Sequence, residues 1–173
     1  MKIRTNIVKT FLLIAGIIGY AVLLLPWYEL TSEAHVSGFS SSYGNAGTQM
    51  GLVTAYLSVF GYALYVLPGA CIAMGLGIGS FTQQMNTRGK ALAMELIGLA
   101  ELVCLILLNN EMASYGTSIS GDGYSASSGF YPVIGYYVAV GVYILTGVLG
   151  FILMIVAPKP QDEEKEKENT PVV

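Results

Sequence analysis

Histidine is almost missing from this chain, which has one, His35, and cysteine occurs only as Cys71 and Cys104. Charge is scarce too: Asp, Glu, Lys and Arg make up 11% of 173 residues, and four long tracts hold very little of it. Each shortage excludes something. One imidazole beside Glu33, with no other Cys, His or Asp close by, supplies too few ligands for a metal site. Apolar tracts without histidine offer no axial imidazole, so a haem-bearing cytochrome is not expected. No CxxC, GxSxG, HExxH or P-loop pattern occurs, and we therefore expect neither an enzyme nor a cofactor. The net charge of −3 comes without a basic patch, which argues against nucleic acid as a partner. Both cysteines lie inside apolar tracts at different depths, so they read as small buried hydrophobes rather than a disulfide.

What the chain does have is apolar sequence, 54% of it hydrophobic. A bilayer core of about 30 Å needs roughly 20 apolar helical residues to cross it. Four tracts qualify, at about 7–27, 52–77, 91–110 and 132–157. The fold class expected is an all-α, integral membrane, antiparallel four-helix bundle over 1–158, followed by a charged, disordered tail at 159–173. The first tract follows Lys2, Arg4 and Lys9, runs on to Leu25 and ends in Pro26-Trp27-Tyr28 with no small-x-small cleavage pattern. It reads as a retained helix rather than a removed signal.

All Lys and Arg residues fall before or in the first turn of the first tract, between the second and third, or after the fourth. By the positive-inside rule both termini and the 80–90 connection are cytoplasmic, and the two longer connections face outward. Those outer connections contain no N-x-Ser/Thr sequon, which points toward a prokaryotic plasma membrane. Trp27, Tyr28 and Tyr131 flank the spans and are expected to anchor them at the interface. The first outer connection alternates through "YELTSEAHVSG" and is expected to form a short β-hairpin. The second, richer in Gly and Ser, is expected to be less regular.

Rows of small residues mark where helix backbones approach closely. They are Ala15 and Gly19 in the first tract, Gly69, Ala73 and Gly77 in the second, Gly98 in the third, and Gly135 and Ala139 in the fourth. A kink is expected near Pro68-Gly69.

The third tract, "ALAMELIGLAELVCLILLNN", carries Glu95 and Glu101 about 9 Å apart along the axis, with Gly98 between them on the helical wheel. A carboxylate at mid-span costs about 2.5–3.5 kcal/mol on insertion scales, and no Lys or Arg lies at its depth. Hydroxyls at matching depth are Ser58, Tyr62 and Tyr65 on the second tract and Tyr136, Tyr143 and Thr146 on the fourth. Three roles follow for these groups: a structural polar network, a proton or cation path centred on Glu101, or a face that receives a cation from a partner helix.

Four helices with a larger first outer loop and an aromatic end to the first helix resemble the general plan of claudin-type tetraspan proteins. Beyond residue 28, however, the first loop has neither the Trp nor the Cys pair that marks them. Small multidrug transporters are also short four-helix proteins with a membrane glutamate, but theirs belongs to the first helix. No residue roles transfer from either. The function expected is that of a non-enzymatic subunit, accessory or scaffolding factor, whose partners are the lipid bilayer and either other membrane subunits or further copies of itself. The alternatives are a small proton- or cation-coupled transporter or channel using Glu101, and an immunity protein against a pore-forming peptide or toxin.

Overall fold

The computed structural model describes residues 5–36, 48–51, 58–121 and 124–157. The charged tail at 159–173 lies outside the described residues. The long apolar tracts become helices α1 (Thr5–Leu23), α2 (Val59–Leu76), α4 (Thr87–Ser114) and α5 (Ile134–Val156), with a single short turn of helix, α3 (Ser80–Gln84), between α2 and α4. Each of the four long helices is long and apolar enough to cross a membrane. Their outward surfaces carry large apolar side chains such as Ile17, Val59, Leu96, Leu145 and Ile155, as lipid contact requires.

The helix ends show why the expected bounds shift. α1 stops at Leu23 rather than running to residue 27. Leu24 and Leu25 close the last turn by bonding back to Ala21 and Val22 at 3.2 and 3.1 Å, and Pro26, with no N–H to donate, starts a strand. α4 extends past both expected ends because polar residues suit the parts of a helix that leave the hydrocarbon. Its 28 residues make a rod of about 42 Å, longer than a bilayer core. Asn86 caps its start by accepting from Gly89 N at 2.6 Å. α2 continues through Pro68, and residues 52–57 of the expected second span fall outside the described residues.

Both of the longer connections contribute strands. β1 (Pro26–Val36), β2 (Thr48–Gly51), β3 (Thr117–Gly121) and β4 (Tyr124–Pro132) form one antiparallel sheet in the order β2-β1-β4-β3. The expectation of an irregular second connection is thereby corrected, since it folds as the β3-β4 hairpin. The reason lies outside the connection itself. β4 pairs with β1 along its whole length, from Tyr28↔Pro132 to Val36↔Tyr124, so a partner distant in sequence supplies the ladder that its Gly- and Ser-rich composition does not advertise.

The sheet is fixed to the helices at the start of β1. A register irregularity between Pro26 and Tyr28 interrupts the alternation that would send Trp27 and Tyr28 to opposite faces. Both side chains are buried, Trp27 at 0% exposure. The Trp27 indole donates to Val22 O at 2.9 Å, and Trp27 O accepts from Val133 N at 2.9 Å just ahead of α5. Two apolar cores follow. One, on the sheet side, gathers Trp27, Tyr28, Leu64, Leu105, Leu108 and Tyr143. The other, at the far end, gathers Val8, Leu12, Cys71, Met94 and Leu153.

α4 packs against each of the other three long helices, most extensively against α5, while α1 lies along α2. At the sheet-side ends of α2 and α4, Ser58 has two tasks. As N-cap of α2 its Oγ accepts from Phe60 N at 3.2 Å, and its hydroxyl donates to Glu111 Oε2. Removing it in Ser58→Ala should cost about 1 kcal/mol, the usual value of an N-cap. Adding Glu111→Ala should then cost little more, because the two side chains act as a unit. Unfolding of single and double variants in lipid measures this, and fully additive losses would contradict the pairing.

Candidate functional site

Glu101 sits in the middle of α4 on its buried stripe, 3% exposed. The stripe arises from i, i+3 and i+4 spacing through Met94, Ile97, Gly98, Glu101, Leu105 and Leu108, which keeps one side of the helix toward its neighbours. Glu101 lies close enough to Cys71 of α2, Tyr143 of α5 and Cys104 of its own helix to interact with all three electrostatically. Sequence reading treated both thiols as apolar filler at separate depths and missed that they share this carboxyl as a neighbour. They stay free.

The expected hydroxyls divide into three groups. Tyr143 is 1% exposed and its hydroxyl has no hydrogen-bond partner among the described groups. Its backbone meets α4 at Gly98, one turn from Glu101, while its hydroxyl bonds to neither. Thr146 is buried, but its Oγ1 donates to Val142 O at 3.0 Å, which satisfies it on its own helix. Tyr65 is half-buried against the sheet-side core, and Tyr136, also half-buried, joins that core from α5. Ser58 does not stand at mid-span but caps the sheet-side end of α2, bonded to Glu111. Tyr62 is 62% exposed, on the outward side of α2. A stripe of i, i+4, i+7 residues spans only part of a helix face, and α2 is rotated so that Gly61, Leu64, Pro68 and Cys71 point inward.

Glu95 is half-buried, with Oε2 enclosed and unpartnered. Between the two acids α4 meets α5 backbone to backbone. A methyl placed on Gly98 would stand 2.5 Å from Gly147 N and 3.0 Å from Tyr143 O, and one on Gly150 would meet Glu95 N. Gly147 and Gly150 went unnoticed in the sequence because their partners lie on another helix, although the four-residue step from Tyr143 to Gly147 is visible there.

The other small residues are placed unevenly. Gly19 packs on Pro68, Gly69 faces the Tyr20 hydroxyl, and Gly135 backs onto Pro26 O. Ala139 is buried and Ala15 is packed against the far-end core, while Ala73 is half-buried. Gly77 makes no packing contact; it caps α2 in the left-handed region at φ 72°, a conformation that only glycine adopts without strain.

The expected anchors divide as well. Tyr131 is exposed, as an interface anchor must be, but Trp27 and Tyr28 are not. Their burial makes them part of the sheet-side core. Burial pushes the Tyr28 phenol above its ordinary range, with the neighbouring Tyr136 adding to the effect. Among the described residues no group of three or more His, Cys, Asp or Glu side chains gathers to hold a metal. No family model, no curated protein and no solved structure matches this chain.

Proposed function

We propose that this chain is a non-enzymatic multi-pass membrane protein that presents its extracytoplasmic sheet to another membrane protein, as a subunit, accessory or scaffolding factor. The observation that carries the reading is that both outer connections fold into one sheet, mounted rigidly on the spans through Trp27. A flexible connector has no need of such a mount. Ser118, Ser120, Ser125 and Ser127 of the β3-β4 hairpin are exposed, giving a hydroxyl-rich surface of the adaptable kind used in protein contacts.

Charge placement supports the orientation. Lys9, Arg88 and Lys90 lie at the end of the helices away from the sheet, and Glu29 and Glu111 lie at the sheet end. The positive-inside rule then puts both termini in the cytoplasm and the sheet outside. A prokaryotic plasma membrane suits the same arrangement.

A photo-reactive residue at Ser118 or Ser127 tests the reading in native membranes. The expected result is a discrete protein adduct at the hairpin positions that is absent when the probe sits at Ile155 on the lipid-facing side. Equal labelling at all positions, or lipid adducts alone at the hairpin, would contradict it.

A further inference from the structure

Three buried side-chain atoms among the described residues have no hydrogen-bond partner in the protein, namely the hydroxyls of Tyr28 and Tyr143 and Oε2 of Glu95. A buried polar group left unpaired bears the full loss of its hydration, and internal water is its usual remedy. The two phenols do not lie at random. The Tyr28 and Tyr136 rings are 6.1 Å apart between centroids. Tyr143 follows Tyr136 by seven residues on α5, which returns it to the same side of the helix about 10 Å deeper. Tyr28, Tyr136 and Tyr143 all belong to the sheet-side core, and Tyr143 is the neighbour of Glu101. Three phenols, two of them with unpartnered buried hydroxyls, thus lie in the core between the foot of the sheet and the middle of α4.

Among the described residues no Lys or Arg belongs to the membrane-spanning part of any helix at the depth of the Glu101 carboxyl. Its ionisable neighbours include Cys71 from α2, Tyr143 from α5 and Cys104 on α4 itself. α1 also packs on α4, but its Lys9 lies at the far end beside Gly75, and its Tyr20 hydroxyl packs on Gly69 of α2. Lys and Arg are missing from residues 10–87 and 91–158. In such a place a carboxyl group is neutralised by a proton rather than by a counter-ion.

We propose that Glu101 is a proton-binding site in the membrane interior, reached from the sheet side through internal waters seated on the Tyr28 and Tyr143 hydroxyls. The site stands independently of the contact function proposed for the sheet. A transported proton, or a proton held as a sensor, would use the same step: the water on Tyr143 receives a proton from the next water toward the sheet as it passes one to the carboxylate, and release runs the same relay in reverse, so that one proton enters or leaves at the sheet side.

Infrared spectroscopy of the full chain reconstituted in lipid tests this. At neutral pH the protein should show a carboxylic-acid C=O band that disappears in Glu101→Gln and persists in Glu95→Gln. On transfer to D2O that band should shift quickly in the native chain. In Tyr28→Phe/Tyr143→Phe the shift should slow about tenfold, as the loss of roughly one hydrogen bond's stabilisation along the route implies. Absence of a band assignable to Glu101, or an unchanged exchange rate in the double phenylalanine variant, overturns the proposal. Should Glu101→Gln fail to fold, Glu101→Asp carries the same test, since its shorter side chain must move the band; an unmoved band overturns the assignment.

Discussion

Trp27→Ala lowers the unfolding free energy by about 3–5 kcal/mol, the range for deleting a large buried aromatic. The indole is wholly buried and is also the sheet's mount, donating to Val22 O at 2.9 Å. Its loss opens a cavity between the end of α1 and the start of α5 and leaves Val22 O without that donor. The expected signature is therefore a large loss of stability together with faster amide exchange in β1 and β4, ahead of the helices. Trp27→Phe keeps most of the volume and should recover more than half of the loss. A Trp27→Ala protein with native stability would mean that the indole sits in lipid rather than in the core. Tyr62→Phe, on the outward side of α2, should change stability by less than about 0.5 kcal/mol and serves as the control.

The second large effect is expected at Gly98. A leucine there must place its Cβ within 2.5 Å of Gly147 N and 3.0 Å of Tyr143 O. These are backbone atoms of a neighbouring helix, which cannot rotate away as a side chain tip can. Overpacking of a core usually costs 1–3 kcal/mol, and a rigid backbone contact puts Gly98→Leu at or above about 3 kcal/mol. Separation of α4 from α5 should follow, detected as faster labelling of the half-buried Cys104 by a lipid-soluble thiol reagent. Gly77 gives the contrast. A Cβ at Gly77 meets open space, and only its φ of 72° resists substitution, so Gly77→Ala should cost about 1 kcal/mol and leave Cys104 as protected as before.

These residues also show which parts of the molecule are legible in sequence. The spans are legible because crossing hydrocarbon imposes a length and a composition on each segment separately. The inward turn of Glu101 is legible for the same local reason, since a carboxyl facing lipid would be too costly. What is not legible depends on partners far away in the chain. Nothing in residues 124–132 announces that they pair with residues 28–36, yet that ladder converts two polar connections into one sheet. Trp27 and Tyr28 have the composition of an interface belt, and only the irregularity at the start of β1 turns them both inward. Depth and helical spacing pick out the hydroxyls but do not say which way their helix is turned. Rotation of α2 about its axis, set by its packing on α1 and α4, takes Tyr62 outward and leaves Cys71 beside the acid.

The central claim is that the two outer connections form one extracytoplasmic sheet rooted on four spans. Cysteine pairs across β1 and β4 test it most directly, because residues opposite each other in antiparallel strands have Cα atoms about 4.5–5.5 Å apart, within disulfide reach. The paired register sets Ser32 opposite Ser128 and Glu33 opposite Ser127. With a membrane-impermeant oxidant added outside intact cells, Ser32→Cys/Ser128→Cys and Glu33→Cys/Ser127→Cys should form intramolecular disulfides. Ser32→Cys/Ser125→Cys, three residues out of register and about 10 Å away, should not. Equal cross-linking of all three pairs, or cross-linking of the first two only when the oxidant reaches the cytoplasm, would contradict the account.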